Sequence, residues 1–418
     1  MSVEEDDARR LDLADPGHRE LFHIPPAEGG RYAETAYMAG NSLGLQPKAT
    51  RAELIEDLDA WAALGVEAHL DAKRPWLPYH EPLTGPASRL IGALPDETVI
   101  MNSLTVNLHL LMVSFYRPVG AAGWGVGGRD RQRARTRVLI EDNAFPSDSY
   151  AVRSHVRFRG LDPDKDVVRV PAAEIPEFLS QHGETVALVL LGGVNYLTGE
   201  LLDMPGITAL GQAQGAIVGW DLAHAAGNVP MRLHDWGADF AAWCSYKYLN
   251  AGPGALAGVF IHERHLDDPS VQRFEGWWSN DPETRFEMAP VSRPLPKADS
   301  WAVSNPPIFS MGPVRTSLDI FDKAGIDSLR ARSLRLTGYL EGLLDGFDIV
   351  TPRDPQRRGC QLSLRVPGGA GALSRRLRFE HGVIADSREP DILRVAPVPL
   401  YNTFHDCWRV ADALRQLP

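Results

Sequence analysis

The sequence has few cysteines, no excess of positive charge and no long apolar run, and each absence excludes a class of protein. Its 418 residues include three cysteines, Cys244, Cys360 and Cys407, at spacings too wide for a disulfide framework or a zinc site. Lysine and arginine number 43 against 54 acidic residues, which argues against a nucleic-acid partner. No run approaches the roughly 18 consecutive apolar residues of a membrane helix, so we expect no membrane partner. The wide cysteine spacing also leads us to expect no bound metal.

The N-terminal letters MSVEEDDARRLDLADPG are acidic and lack the apolar stretch of a secretory signal. Together with the sparse cysteines, this predicts a cytoplasmic protein. Hydrophobic residues make up 44% of the chain, which is enough for large cores, and the length predicts more than one lobe.

Short apolar runs alternate with helical patterns between about residues 50 and 265. The runs at 137–144, 187–194, 216–223 and 258–264 are rich in Val, Ile and Leu and predict buried strands. The segments EIPEFLSQHG and MPGITALGQAQG between them predict helices. This alternation predicts an α/β fold with a mostly parallel sheet covered by helices on both faces.

The segment at 119–136 is rich in glycine and then in arginine. Its composition allows a phosphate-binding loop, but the strand comes after it and no helical pattern follows, so a surface loop is favoured. From about residue 315 the pattern changes to two helices and then to short strands and a helix. We therefore divide the chain into an N-terminal segment that packs with the small domain (1–45), a large domain (46–312) and a smaller α/β C-terminal domain (313–418).

One lysine stands in an unusual setting, the stretch WCSYKYLNAGPGA at 243–255. Lys247 has aromatic and small neighbours, where a charged ammonium costs free energy unless it is paired or discharged. Asp221 ends a predicted strand and His224 follows it, so we expect both in the crevice at the carboxyl ends of the strands. Pyridoxal 5′-phosphate needs a lysine that forms an imine and a carboxylate that pairs with its pyridine nitrogen. The sequence therefore predicts this cofactor in preference to a surface lysine.

A phosphate group needs donors, and MNSLTVNLHLL at 101–111 offers them. Ser103 and Thr105 precede an apolar helical pattern whose first backbone N–H groups suit an anion. Tyr246 offers a phenolic donor. Phe145, just after a predicted strand, is a candidate to stack on the pyridine ring, and Asp148 follows it. An ordinary helix cap and core packing are the alternatives for the helix start and for Phe145.

The chain resembles kynureninase, a fold-type I pyridoxal phosphate-dependent hydrolase, in seven segments that occur in the same order: KRPWLPY, MNSLTVNLHLL, NAFPSDSY, DLAHAAGN, WCSYKYLNAGPGALAG, SNPPI and LRVAPVPLYN. The resemblance runs from about residue 35 to the C-terminus. It implies the aspartate aminotransferase-like fold and hydrolytic cleavage of the Cβ–Cγ bond of L-kynurenine or 3-hydroxy-L-kynurenine. The products implied are L-alanine and anthranilate or 3-hydroxyanthranilate, in tryptophan catabolism or NAD biosynthesis.

By position, the resemblance implies roles for individual residues. Lys247 is the lysine that binds the cofactor aldehyde and moves the substrate Cα proton, with Tyr246 as a candidate acid. Arg394 is expected to clamp the substrate α-carboxylate in a bidentate ion pair. Gly192 departs from the family, which often has Ser or Thr there, so a hydroxyl contact to the cofactor is missing. The implied cofactor-binding residues are Leu104, Thr105, Phe145, Asp148, Gly192, Asp221, His224, Tyr246, Lys247, Trp277 and Asn305.

Three positions bear on the substrate. His69, Ser304 and Asn305 match residues of members that prefer 3-hydroxykynurenine, whereas kynurenine-preferring bacterial members tend to carry Trp, Gly and Thr there. His and Asn can hydrogen-bond a ring hydroxyl, whereas Trp fills the space with apolar surface. The sequence therefore predicts a preference for 3-hydroxykynurenine or a substituted relative. The resemblance also implies a homodimer in which Trp277 and Asn305 reach the active site of the other subunit.

Two other functions stay open on the sequence. Another fold-type I enzyme, such as a cysteine desulfurase, needs a mobile and activated thiolate, for which Cys360 is the candidate in the small domain. A binding protein that has lost catalysis is the second alternative. It is less favoured because Lys247, Asp221 and Arg394 are all present.

Overall fold

The structure is a computed structural model that describes residues 3–119 and 135–417, so the loop predicted at 119–136 lies outside the described residues except at its ends. The strands of the described residues are β1 (Ala36–Tyr37), β2 (Thr98–Met101), β3 (Arg137–Glu141), β4 (Val167–Val170), β5 (Val186–Gly192), β6 (Ile217–Asp221), β7 (Phe240–Trp243), β8 (Ala257–Ile261), β9 (Leu362–Arg365), β10 (Val383–Ile384), β11 (Asp386–Arg388) and β12 (Ile392–Val395).

The α-helices of the same ranges are α1 (Val3–Ala14), α2 (Thr50–Leu64), α3 (Ala68–Asp71), α4 (Glu81–Ile91), α5 (Leu104–Phe115), α6 (Pro146–Phe158), α7 (Pro163–Asp166), α8 (Ile175–His182), α9 (Met204–Ala213), α10 (Leu233–Trp236), α11 (Ile308–Ala324), α12 (Ile326–Leu343), α13 (Ala370–His381) and α14 (Phe404–Gln416).

The central sheet has the strand order β2-β8-β7-β6-β5-β3-β4. The neighbours from β7 to β4 pair in parallel, whereas β8 runs antiparallel to both β2 and β7. The strands predicted from the four apolar runs are β3, β5, β6 and β8. The predicted mostly parallel α/β sheet is therefore confirmed.

Both faces of this sheet are covered, which explains why its strands read as continuous apolar runs. In β5, Val189 and Leu191 belong to the core on one face, whereas Leu188 and Leu190 belong to the core on the other. Successive side chains of a strand point to opposite faces, so a strand buried on both sides shows no polar alternation.

The C-terminal lobe is built around a three-stranded antiparallel sheet in the order β11-β12-β9. Helix α14 begins with a capping box, in which the Thr403 hydroxyl accepts from the Asp406 N–H and the Asp406 side chain accepts from the Thr403 N–H. The N-terminal segment completes this lobe, because α1 packs against α14 and β1 pairs in parallel with β10.

The proposed boundary at 312/313 falls inside α11, and this helix packs against α2 and α4 of the large domain. The division into three parts stays a prediction. Within residues 3–119 and 135–417, the helices are either too short or too polar to cross a membrane.

Candidate active site

A cavity of about 260 Å³ lies at the carboxyl ends of three parallel strands. Glu141 ends β3, Gly192 ends β5 and Asp221 ends β6, and all three line the cavity. Helices α5 and α6 and the loop after β7 complete the wall. The predicted site residues that line this cavity are Leu104, Thr105, Phe145, Asp148, Gly192, Asp221, His224, Tyr246 and Lys247.

Lys247 enters the cavity from the loop between β7 and β8. Its Nζ lies 2.9 Å from Nε2 of His224. Burial and the nearby cations Lys247, Arg394 and Arg388 lower the pKa of His224 well below its usual value. His224 is therefore neutral, and its Nε2 can accept a hydrogen bond from the lysine. This contact gives the Lys247 amine a polar partner among its apolar neighbours.

Two carboxyl groups lie side by side at the end of β6. Asp221 accepts a hydrogen bond from the Ala223 N–H at 2.7 Å, and both Asp221 and Asp148 are almost fully buried. Burial, followed by the charge of Asp221, raises the pKa of Asp148 well above its usual value. Asp148 therefore keeps its proton and can donate a hydrogen bond to the Asp221 carboxylate. Both carboxyl groups line the cavity.

The N-terminus of α5 opens onto the same cavity. Asn102 takes a left-handed φ of 48°, which turns the chain between β2 and α5, and Asn107 fixes this turn by donating to the Met101 carbonyl at 2.9 Å. Ser103 is the N-cap, and its side chain makes no capping hydrogen bond. The first N–H groups of the helix are thus available for an anion. The Thr105 hydroxyl lies 2.9 Å from that of Ser147, in the first turn of α6.

Two aromatic residues border the lysine. The ring centroid of Phe145 lies 5.8 Å from the Lys247 Nζ, and that of Tyr246 lies 5.9 Å from it. Phe145 also packs edge-on against Tyr196, with ring centroids 5.1 Å apart. Burial raises the pKa of Tyr246 well above its usual value, so its phenol stays protonated at neutral pH.

Arg394 does not line the cavity but lies directly behind its wall. The side chain is buried in β12, where Nη1 donates to the Tyr196 carbonyl at 2.7 Å and Nη2 donates to the Ser42 hydroxyl at 3.0 Å. Nη2 also pairs with the Asp386 carboxylate. Its Nε has no hydrogen-bond partner. The guanidinium is thus held one residue away from the cavity, through Tyr196.

The structure does not bring the other four predicted residues to this cavity. Nδ1 of His69 contacts the Val66 carbonyl at 2.9 Å, and its ring packs edge-on against Trp76. Trp277 packs against Phe286 and remains 39% exposed. The remaining two of these residues, Ser304 and Asn305, are exposed to solvent.

Four polar residues of the cavity wall were not predicted: Glu141, Ser147, Asn195 and Tyr196. Glu141 ends a predicted strand just as Asp221 does, so the sequence carried a signal for it. Asn195 donates to Glu141 Oε1 at 3.0 Å and to Asn143 Oδ1 at 2.8 Å. Asn195 is placed in the cavity wall by these long-range contacts, which a local sequence pattern does not reveal.

The fold matches known pyridoxal phosphate enzymes. The cystine C–S lyase C-DES, solved with its product cysteine persulfide, superposes with a TM-score of 0.75 at 16% identity, covering 91% of this chain and 97% of that one. The cysteine desulfurase of Thermococcus onnurineus NA1 gives a TM-score of 0.73 at 15% identity, over 92% of this chain and 94% of that one. Identities this low establish the fold alone, and that fold is fold type I of the pyridoxal phosphate-dependent enzymes.

The sequence relatives define the family within that class. The kynureninase of Salinispora tropica is 65% identical over 98% of this chain and 96% of its own length, and that of Myxococcus xanthus is 51% identical over 97% and 96%. Residues 329–414 match the family model described as the kynureninase C-terminal domain. The chain belongs to the kynureninase family.

Proposed function

We propose that this protein is a pyridoxal phosphate-dependent hydrolase that cleaves the Cβ–Cγ bond of L-kynurenine or 3-hydroxy-L-kynurenine. The products are L-alanine and anthranilate or 3-hydroxyanthranilate. The observation that carries the proposal is the grouping of Lys247, His224 and the Asp148–Asp221 pair in one cavity, in a chain of this family.

The residues of the cavity fit pyridoxal phosphate. Lys247 would hold the aldehyde, and the Asp221 carboxylate, backed by the Asp148 proton, would hold the protonated pyridine nitrogen. The start of α5, with Leu104 and Thr105, offers N–H and hydroxyl donors to a phosphate. The buried Nδ1 of His224 has no partner, as expected of a group that faces a ligand. Bound there, the cofactor supplies an electron sink for negative charge that develops on the substrate.

Residues beside the bound cofactor would carry out the proton transfers. Neutral His224 can accept a hydrogen bond from the Lys247 Nζ and so position the amine, which in its neutral form can accept the substrate Cα proton. The protonated phenol of Tyr246 is the candidate acid. Arg394 has a free Nε–H on a buried guanidinium and is proposed to hold the substrate α-carboxylate. For Arg394 to reach the substrate carboxylate, either Tyr196 must move or the ion pair with Asp386 must break when substrate binds.

We also propose a homodimer whose active sites include residues of both subunits. Support comes from the placement of Trp277 and Asn305, which do not reach the cavity of their own chain. The segment that contains Trp277 also carries other exposed apolar side chains, which is typical of an interface. These side chains are Phe274, Phe286, Met288 and Val291.

The proposed preference for 3-hydroxykynurenine rests on His69, Ser304 and Asn305. Their polar side chains suit a ring hydroxyl, and the exposed Ser304 and Asn305 are able to meet a substrate held by the other subunit. In the substrate test, purified protein is supplied with pyridoxal phosphate, and the kcat/KM values for 3-hydroxy-L-kynurenine and L-kynurenine are compared. We expect the hydroxylated substrate to have the higher value, and we expect the double variant His69→Trp, Asn305→Thr to shift the ratio toward kynurenine.

Lys247→Ala is the control for this test, because it should lower kcat by roughly a thousandfold or more while the fold is kept. Full activity of Lys247→Ala would overturn the cofactor assignment. Equal kcat/KM ratios before and after the double substitution would overturn the substrate preference while leaving the reaction intact.

A cysteine desulfurase activity is the second candidate, because the solved structures of similar fold include desulfurases. That chemistry needs an accessible thiolate. Cys360 is fully buried, and burial raises the pKa of its thiol to about 12. The three cysteines of the chain are all buried and reduced, so hydrolysis of kynurenine is the better-supported function.

A further inference from the structure

Glu141 is a buried acid of the cavity that takes no part in the proposed reaction steps. It is 3% exposed and stands at the end of β3, beside the end of β5 and two strands from Asp221. Its Oε1 accepts from the Asn195 amide at 3.0 Å, and the Gly192 N–H also donates to its carboxyl group. These partners are neutral amides, so they hold the carboxyl group in place without neutralising a charge on it.

Gly192 leaves the path from this carboxyl group to the cavity open. A Cβ at residue 192 would lie 3.3 Å from Glu141 Oε2, closer than ordinary van der Waals contact. Any side chain there would therefore stand against the Glu141 carboxyl group. With glycine at this position, the acid itself forms this part of the wall, beside Asp148 and Asn195.

The groups that face Glu141 favour its protonated form. Burial is the largest effect, and together with Glu200 and Asp142 it raises the pKa of Glu141 to about 7, against the lowering by Asn195 and the Gly192 N–H. Asp148, on α6, is the acid on the cavity side, and it too is protonated because of burial and Asp221. Glu141 is thus a hydrogen-bond donor at pH 6 and becomes an acceptor-only carboxylate above pH 8.

We infer that Glu141 is a cofactor-contacting residue that donates a hydrogen bond from its carboxylic acid to bound pyridoxal phosphate on the Gly192 side of the cavity. The inference rests on the proposed function, because it takes pyridoxal phosphate as the ligand. Ionisation of Glu141 removes the donor and places a negative charge beside an anionic cofactor. Cofactor affinity should therefore fall as Glu141 loses its proton.

The test compares the Kd of pyridoxal phosphate for the apoenzyme of the wild type and of Glu141→Gln at pH 6 and pH 8.5, by absorbance or fluorescence titration. Glutamine keeps a donor and cannot ionise, so the ratio of the two Kd values cancels the titration of the cofactor and of groups that do not interact with Glu141. We expect the wild type to weaken relative to Glu141→Gln by about tenfold between these pH values, the size of one lost charge-assisted interaction.

Two further variants make the test specific. Glu174→Gln makes the same substitution at an exposed acid that does not line the cavity, and should keep the pH dependence of the wild type within about twofold. Gly192→Ala keeps Glu141 but places a methyl group against its carboxyl group, and should weaken binding most at pH 6, where the donor is present.

A Kd ratio that does not change with pH overturns the inference and leaves Glu141 as a structural acid bonded to Asn195. A wild type that binds no pyridoxal phosphate at either pH overturns the proposed function, and the inference with it. The two failures are therefore distinguished by the wild-type titration alone.

Discussion

Cys360 shows how burial decides the chemistry of a residue in this protein. Its backbone N–H donates to the Asn228 side chain at 2.9 Å, and its thiol packs against Tyr248 with no exposure to solvent. Because a thiol is reactive as its thiolate, a raised pKa and the lack of access both make Cys360 inert. Its place in the core is that of a small apolar residue.

We predict that Cys360→Ala keeps kcat/KM for kynurenine within about twofold but lowers the free energy of unfolding by about 1 kcal/mol, because a buried sulfur is replaced by a small void. Cys407→Ala is the matched control, since Cys407 is equally buried in the C-terminal lobe. Chemical denaturation and steady-state kinetics of both variants provide the measurement. A large loss of activity in Cys360→Ala alone, at unchanged stability, would contradict this account.

At the level of single residues, the sequence predicted a site residue where a residue type was unusual among its neighbours. Lys247 among aromatic residues and Asp221 at the end of a strand could be found in this way, and both line the cavity. Glu141 was not predicted as a site residue, because a glutamate after an apolar run is common at the end of any strand. Its burial by Asn195 and the β5 end comes from contacts between distant parts of the chain.

Helix α5 joins the sequence pattern to the cavity at the scale of an element. Its apolar letters predicted a buried helix, and Leu108, Leu111 and Met112 do lie in the core. The strained turn at Asn102 aims its N-terminus at the cavity. Position and direction together support the proposal that the start of this helix binds the phosphate group, in preference to an ordinary cap.

We predict that Thr105→Val weakens pyridoxal phosphate binding by about tenfold, the cost of one hydrogen bond to a charged group. Val keeps the shape of Thr but cannot donate, so the helix should remain folded. The measurement is the cofactor Kd, with Thr208→Val as a control because Thr208 is a buried threonine of α9 that bonds Trp220 instead. Equal affinities for wild type and Thr105→Val would remove Thr105 from the phosphate site.

The elements that the sequence predicted are the long or strongly patterned ones. β3, β5, β6, β8, α5, α8 and α9 all appear close to their predicted positions. β7 was not predicted, although it leads into the Lys247 loop. It is four residues long, and its apolar letters run on into WCSY without a turn residue to mark its end. Pairing between β6 and β8 identifies it, and that pairing is long-range.

At the scale of the whole molecule, a single chain leaves the proposed site incomplete. Arg394 contacts the Tyr196 carbonyl behind the cavity wall, and Trp277 and Asn305 do not line the cavity that holds Lys247. A second copy of the chain is the simplest source of the missing groups, since most soluble oligomers are symmetric homo-oligomers. For Trp277 and Asn305 this placement was an expectation from the family resemblance, because a motif by itself does not reveal which subunit its residues serve.

We predict that two inactive variants restore each other. In a heterodimer of Lys247→Ala with Asn305→Ala, one site carries both substitutions and the other carries neither. Refolding an equal mixture should therefore recover about a quarter of the wild-type activity, since half of the dimers are mixed and each has one intact site. Lys247→Ala refolded alone is the control. No recovery in the mixture, with dimers present by sedimentation, would mean that each site is built from one chain.

The pairing of β1 with β10 also sets the order in which the molecule can be completed on the ribosome. The large sheet uses residues up to Ile261, so it can form while synthesis continues. Ala36 and Tyr37 can pair only after Val383 and Ile384 have been synthesised, roughly 350 residues later. The Gly44 N–H, which bonds the Tyr246 carbonyl beside Lys247, belongs to the same N-terminal segment. We therefore expect the contact between the N-terminal segment and the Lys247 loop to form late, after the C-terminal lobe has been synthesised.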